Sequence, residues 1–411
     1  MPEISNELQY VLLVFGLFIV PRALQRLRIP SAITCIALGA WLHIGLGRLH
    51  EDAIVKLLAT FGIVSMFLFA GLEVDFVELR RGRKILLQHV AAQLAVLVVG
   101  AAALSFIFGL ELRAALLFAL AIFTPSTGFI LDSLGTFGLS TEERFWVKSK
   151  AISSELVALV VLFVTVRSAD AKGLALSAMA LAALVAILPP IFRVFARFIA
   201  PFAPKAEFTF LVIVALLCAF VTRELGVYYL VGAFVVGVTA VRLRKDLPAL
   251  SSEKLLGGVE LFAAFFIPFY FLKAGLHLEA AYFSLKAIVI AATLLVIVVP
   301  VRIWRVALHR RLALQETWRE GARIGVAVLP TLVFTIVLAE ILQERYALAP
   351  ELYGALVMFA LVNTMIPGFV LRVAPPEFDT PEAPRAPEPS APTGATDLSQ
   401  TVDQTEKSTA A

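Results

Sequence analysis

Residues 67–75 read Phe-Leu-Phe-Ala-Gly-Leu-Glu-Val-Asp, and residues 271–279 read Phe-Leu-Lys-Ala-Gly-Leu-His-Leu-Glu. Gly71 and Gly275 hold the same place in the phrase, 204 residues apart. A second echo has nearly the same offset: Thr124-Pro125-Ser126 recurs as Leu329-Pro330-Thr331, with the prolines 205 residues apart. Two landmarks sharing one offset imply a chain built from two related halves. About seven apolar spans separate equivalent positions, and an odd number turns the second half over in a bilayer. Inverted repeats with an interrupted helix in each half are an architecture of secondary transporters.

Composition agrees: 60% of the residues are hydrophobic and only 16% charged, with a mean hydropathy of +0.90. Apolar runs of about 18–25 residues have the length a helix needs to cross the hydrocarbon core. About thirteen are present, at 9–24, 29–47, 53–75, 85–109, 114–133, 145–168, 173–198, 207–223, 226–243, 258–277, 284–307, 319–342 and 351–373. They are continuously apolar and do not alternate, which favours helices over a barrel. The expected fold is an all-α polytopic membrane protein with two inverted six-helix repeats.

Basic residues set the expected orientation. Arg22, Arg26 and Arg28 lie in or beside the first loop, and Arg80, Arg81, Arg83 and Lys84 in the third. Clusters follow at Arg144/Lys148/Lys150, Arg193/Arg197/Lys205, Arg242/Arg244/Lys245 and Arg305/Arg310/Arg311/Arg319. With thirteen spans all of these fall on one side, and the opposite loops hold few, such as Arg48, Arg113, Arg223 and Arg345. The positive-inside rule then puts the N-terminus outside and the C-terminus in the cytoplasm. The net charge of +4 is explained by such loops and needs no nucleic acid partner. The first apolar run lacks a basic flank and cleavage site and reads as a retained span.

Cys35 and Cys218 fall within apolar spans and read as packing residues, not as a disulfide or metal pair. The five histidines show no metal spacing. From about Pro375 the chain turns rich in Pro, Glu, Ala, Ser and Thr. Residues 375–411 are expected to form a disordered cytoplasmic tail, too short for a nucleotide-binding domain.

Glu155 sits near the middle of span 145–168. A carboxylate at that depth costs about 2.5–3.5 kcal/mol on insertion scales, so it should face a cavity or a partner. One carboxylate that binds either a proton or a metal cation is the minimum chemistry for exchange. The rival reading is a structural Glu paired with a basic residue. Arg302, behind Pro300 in span 284–307, is the expected partner, although a residue that near a span end can also snorkel to the interface.

Pro125 and Pro330 each remove a backbone donor and free carbonyls in mid-helix. Thr124, Ser126, Thr127 and Thr331 add hydroxyl oxygens, and Ser154 stands beside Glu155. Carbonyl and hydroxyl oxygens are hard ligands suited to Na⁺ or K⁺, and opposed half-helix ends can solvate charge at the midplane. Lys273 matches Phe69 of the first half and either snorkels outward or tunes the outer pathway. Asp132 and Glu340 read as terminal and solvated, with Asp132 alternatively lining an inner funnel.

The chain resembles the monovalent cation:proton antiporter superfamily, of the sodium/proton exchanger type related to potassium-efflux antiporters, over roughly residues 8–373. Phe67–Asp75 followed by Leu79-Arg80-Arg81 carries the resemblance most strongly. Glu224-Leu225-Gly226 through Gly232-Ala233-Phe234 and the stretch Phe266–Leu278 add to it. The resemblance implies a homodimer in which 9–75 and 207–277 form a dimerising scaffold. Residues 85–168 and 284–373 would form the mobile ion-carrying core, within a transmembrane domain spanning 1–374. It matches Arg302 to a basic residue of the later core helix. Two departures stand out: Ser154-Glu155 replaces the family's Asp-Asp or Asn-Asp, and Phe123-Thr124-Pro125 replaces Thr-Asp-Pro or Thr-Ser-Pro.

The expected function is exchange of H⁺ for Na⁺ or K⁺ across an inner membrane by alternating access, with no cofactor. Glu155 is the expected carrier. A sodium-coupled symporter of the same fold and a non-transporting membrane sensor or assembly subunit are the alternatives. No Ser/His, paired-Asp or His-Glu-x-x-His arrangement in the spans points to an enzyme.

Overall fold

The computed structural model describes residues 6–27, 29–45, 47, 52–168, 170–203, 206–225, 229–243 and 253–371. The tail predicted at 375–411 lies outside them, as do the loop residues Arg28, Arg48, Lys205, Arg244 and Lys245. The described residues form helices and connecting turns. In order, the first helices are α1 (Asn6–Gln25), α2 (Ser31–Ala40), α3 (Ala53–Leu72), α4 (Phe76–Arg81) and α5 (Arg83–Phe108). Next come α6 (Leu112–Phe123), α7 (Thr127–Leu134), α8 (Thr141–Arg167), α9 (Ala171–Val194), α10 (Glu207–Glu224) and α11 (Tyr229–Leu243). The chain continues through α12 (Glu253–Leu276), α13 (Leu285–Leu314), α14 (Trp318–Ala327), α15 (Leu332–Tyr346) and α16 (Pro350–Val370).

Polar residues in the connections fix where helices start. Asp52 accepts from the amides of Ile54 and Val55 at the head of α3. Ser140 with Glu143 and Thr317 with Glu320 form reciprocal capping boxes at α8 and α14. Large apolar side chains such as Val98, Phe106, Leu285 and Val296 point outward, as the lipid-facing surface of a helical membrane protein requires.

Among the described residues, nine helices are long and apolar enough to cross a membrane, or ten when the bent pair α14–α15 counts as one span. The other predicted segments also coincide with helices: α2 with its following π turn and α11 are shorter apolar helices, and α10 has 18 residues. Helix α13 runs on to Leu314, past the predicted end of its span. Lys150 of α8 and Arg310 of α13, counted above with the basic loops, are buried within helices, each 1% exposed.

Helices α2, α3, α10, α11 and α12 pack on one another, and α5, α6, α8, α13, α14, α15 and α16 form a second packed set. Within the first set, helices cross at glycine, in reciprocal fashion. A Cβ at Gly71 of α3 would overlap the Phe234 carbonyl of α11, and one at Gly237 of α11 would overlap the Leu68 carbonyl of α3. Gly39 of α2 and Gly275 of α12 face each other in the same way, against the Leu272 and Ile36 carbonyls. The glycines of the repeated sequence phrase are thus places where backbone meets backbone, a close approach only small residues permit.

Candidate functional site

Two helix breaks cross inside the second set. Pro125 separates α6 from α7, and Pro330 separates α14 from α15. The breaks are stitched together by Ser126, whose amide donates to the Pro330 carbonyl at 2.8 Å. Its hydroxyl oxygen accepts from the amides of Val333 and Phe334 at 3.0 and 3.2 Å. A serine of the first break therefore caps the N-terminus of the half-helix after the second. Ser126→Ala should cost about 0.5–2 kcal/mol, near the top of that range because the cap is buried. The melting temperature in detergent checks this, and Ser126→Thr should retain most of the stability.

The carbonyls freed by the two prolines are already taken. Thr335 Oγ1 donates to the Ala121 carbonyl at 2.7 Å, and Gln93 Nε2 to that of Phe123 at 3.2 Å. Asn363 Nδ2 reaches the Leu329 carbonyl at 2.5 Å and Thr331 Oγ1 at 3.3 Å. Arg302 donates to the carbonyls of Val328 and Leu329, both at 2.8 Å, and of Ile122 at 3.3 Å.

This corrects two expectations. Arg302 makes no ion pair with Glu155 among the described residues. Its planar fork sits where α6 and α14 both end, and the partial negative charge of two helix C-termini holds the guanidinium. The freed carbonyls, expected as cation ligands, are occupied by protein donors. Gln93, Thr335 and Asn363 carry that task and were not singled out from the sequence, although each is a buried polar residue in an apolar span.

Glu155 lies on the other side of the crossing. It is 2% exposed and shares a small cavity with Met66, Phe67 and Ala70 of α3, Ser126, Thr127 and Gly128 at the head of α7, and Val333 and Phe334 at the head of α15. Its carboxylate thus faces the N-terminal turns of both second half-helices, where amide dipoles favour negative charge. Glu155 Oε2 and the hydroxyls of Thr127 and Thr124 are buried without a hydrogen-bond partner. The cavity has room for one water-sized occupant. An unpaired carboxylate oxygen with a hydroxyl lining the same space is a donor set suited to a proton or a small hard cation.

Ser154 faces away from that cavity. It lines a second one with His89, Phe123, Pro125, Lys150, Arg302 and Arg305, so neighbouring residues of α8 address opposite sides of the first break. Thr331 is buried and holds Asn363, while the side chain of Asp132 lies outside the described set. Lys273 and Glu340 approach to 4.0 Å, so Glu340 is not simply solvated: it meets a cation across the α12–α15 boundary. A second link between the two helix sets joins Lys148 of α8 to Glu73 at 2.7 Å. Near it a cavity of about 1050 Å³, with Glu73, Asp75, Arg80, Lys148 and Arg242 among its lining, extends past Leu159 to Leu156.

The profile of the family described as "Sodium/hydrogen exchanger, transmembrane" matches residues 11–374. The chain is 25% identical over 379 residues to the Na⁺/H⁺ antiporter NhaS5 of Synechocystis sp., covering 89% of this chain and 53% of that protein. It is 24% identical to the probable Na⁺/H⁺ antiporter 3 of Methanocaldococcus jannaschii, covering 87% and 93%. It therefore spans about half the length of NhaS5 but nearly all of the archaeal relative. The fold matches that of the sodium proton antiporter MjNhaP1 of M. jannaschii with a TM-score of 0.65, 11% identity and coverage of 88% and 94%. The crossed breaks, the apolar helices and the profile match together identify a multi-pass membrane protein that belongs to the sodium/hydrogen exchanger transmembrane family.

Proposed function

We propose that the protein exchanges protons for a monovalent cation, Na⁺ or K⁺, with Glu155 as the shared carrier. The observation that carries this reading is the unpartnered, buried carboxylate oxygen of Glu155 opposite the Thr127 hydroxyl. Such a group holds one positive charge at a time. With a proton bound it is a neutral acid; with Na⁺ bound, Glu155 and Thr127 supply oxygen ligands. One carboxylate carrying one charge in either direction gives one-for-one exchange. The half-helix N-termini hold the carboxylate between loads, and Arg302 neutralises the opposite C-termini, so the ion need not pair with Arg302.

The same reading assigns α1–α3 and α10–α12 to a dimerising scaffold. The core carrying Glu155 comprises α5–α8 and α13–α16, and it alternates between the two membrane faces. Thirteen crossings and an inverted repeat are supported by the reciprocal glycine contacts and by the crossing of the two breaks. The N-terminus then lies outside and the C-terminus in the cytoplasm of an inner membrane. The large cavity beside α8 opens among charged residues, Glu73 and Asp75 with Arg80, Lys148 and Arg242, as an inward access route would. The size of the Glu155 cavity argues against a sodium-coupled symporter, which needs space for an organic substrate.

Proteoliposomes loaded with a pH-sensitive dye test the function. Adding Na⁺, K⁺ or Li⁺ in turn should move protons for at least one cation. No cation-dependent proton movement at acid, neutral or alkaline pH would overturn the proposal.

A further inference from the structure

A chain of protonatable groups crosses the core beside the carrier, and exchange at Glu155 alone does not use it. Gln88 and His89 of α5, Lys150 and Ser154 of α8 and His309 of α13 are in hydrogen-bond contact. Gln88 Oε1 meets His309 Nε2 at 3.3 Å, and His309 Nδ1 meets Lys150 Nζ at 3.1 Å. Lys150 Nζ also contacts His89 Nδ1 at 3.4 Å, and His89 Nε2 reaches Ser154 Oγ at 3.0 Å. Gln88 is exposed and His309 partly so, whereas Lys150, His89 and Ser154 are each at most 3% exposed. The chain therefore runs from the protein surface to the residue preceding Glu155. Its outer end lies towards the end of the bundle that carries Arg80, Arg81, Lys84, Arg311 and Arg319.

Donor and acceptor roles follow from the contacts. An ammonium is only a donor, so Lys150 donates to Nδ1 of both imidazoles. Each histidine then carries its proton on Nε2, one donating to Gln88 and the other to Ser154. Every buried member but the lysine both accepts and donates, which is what proton transfer along a file of groups requires. The other charges facing this file are Arg302 and Arg305, which line the same cavity, and the ion pair of Arg310 with Glu316, both of which act on Lys150. Among the described residues no carboxylate lines that cavity, and Glu316 is engaged by Arg310.

We propose that His309–Lys150–His89–Ser154, with Gln88 orienting His309, is the proton access route to Glu155, an inference that rests on the antiport reading. As Lys150 gives an Nζ proton to His89 Nδ1, the His89 Nε2 proton passes to Ser154 Oγ. The Ser154 hydroxyl proton then crosses the first break to the Glu155 carboxylate on its other side. Each N–H or O–H bond broken is matched by one formed. His309 turns its N–H nitrogen to the Lys150 amine, gives that proton up and takes another from water on the nitrogen left facing the surface, and a flip of the His89 ring restores its own tautomer for the next transfer. The metal cation does not use this file, because its inner members are cationic or imidazole groups with no carboxylate among them.

The test separates proton delivery from cation movement. Radioactive Na⁺ is exchanged for Na⁺ across proteoliposomes at equal pH, which needs the carrier but no proton. The same vesicles are then driven by a pH gradient. His309→Asn and Lys150→Met should slow proton-driven exchange by about tenfold or more, with Na⁺/Na⁺ exchange close to wild type. His309→Gly should recover proton-driven exchange when imidazole is added, since His309 is only partly buried. Equal loss of both modes in His309→Asn and Lys150→Met, without imidazole rescue of His309→Gly, would make the file structural and overturn the proposal. Unchanged proton-driven exchange in all three variants would overturn it too. Wild-type protein that exchanges Na⁺ for Na⁺ yet never moves protons would instead refute the antiport reading, and the relay with it.

Discussion

Glu155→Gln is expected to reduce transport to the level of empty vesicles while the protein still inserts and folds. The amide keeps the shape and much of the hydrogen-bonding capacity of the carboxyl, but it neither releases a proton nor offers a negative oxygen to a cation. A neutral amide at that depth costs less than a carboxylate, so stability in detergent should hold or rise. Both proton-driven and Na⁺/Na⁺ exchange should disappear, which distinguishes this variant from those in the histidine–lysine file. Glu155→Asp should retain part of the activity, because it keeps the charge and withdraws it by one methylene from Thr127 and the two half-helix N-termini. Full transport by Glu155→Gln would eliminate Glu155 as the carrier.

Arg302→Ala is expected to damage the fold before it damages the chemistry. The guanidinium holds carbonyls of Ile122, Val328 and Leu329. Its removal leaves buried acceptors unsatisfied, at about 1–3 kcal/mol for each orphaned group. A large fall in melting temperature and in purified yield should follow, and Arg302→Lys should recover only part of it because an ammonium cannot reproduce the planar fork. A double-mutant cycle on stability checks the geometry. With no ion pair between the two side chains, the effects of Arg302→Ala and Glu155→Gln should add within about 0.5 kcal/mol. A larger coupling would mean that the two charges do stabilise each other.

What the sequence could disclose depended on how local the cause was. Apolar runs and prolines are local, so the apolar helices and both breaks were legible, and a lone carboxylate in mid-span pointed to Glu155. The partner of Arg302 was not legible. Its three carbonyls lie 26, 27 and 180 residues away, and backbone acceptors leave no mark on side-chain identity. Lys150 was misread for a related reason. It stands two residues from Lys148, which does reach a carboxylate at the boundary, yet those two steps, about 200° around the helix, turn it towards His89 and His309. The signal was present in its spacing, since Lys150 and Ser154 lie four apart and share a helix face. The histidines held no recognisable spacing because they belong to helices whose meeting depends on the whole core.

The stitched breaks have a consequence for the order in which the chain is made. The Phe334 amide that Ser126 caps lies 208 residues further along, and the donors to the Ala121 and Ile122 carbonyls lie 214 and 180 residues further along. At about 5–20 residues per second, the first break waits roughly 10–40 s for the segment that completes it. During that interval α6 and α7 are held in the bilayer with bare carbonyls that only Gln93 is already in place to cover. The nascent first half is therefore the vulnerable species in biogenesis. Water, a translocase wall or another membrane chaperone must shelter its interrupted helix until the second half arrives.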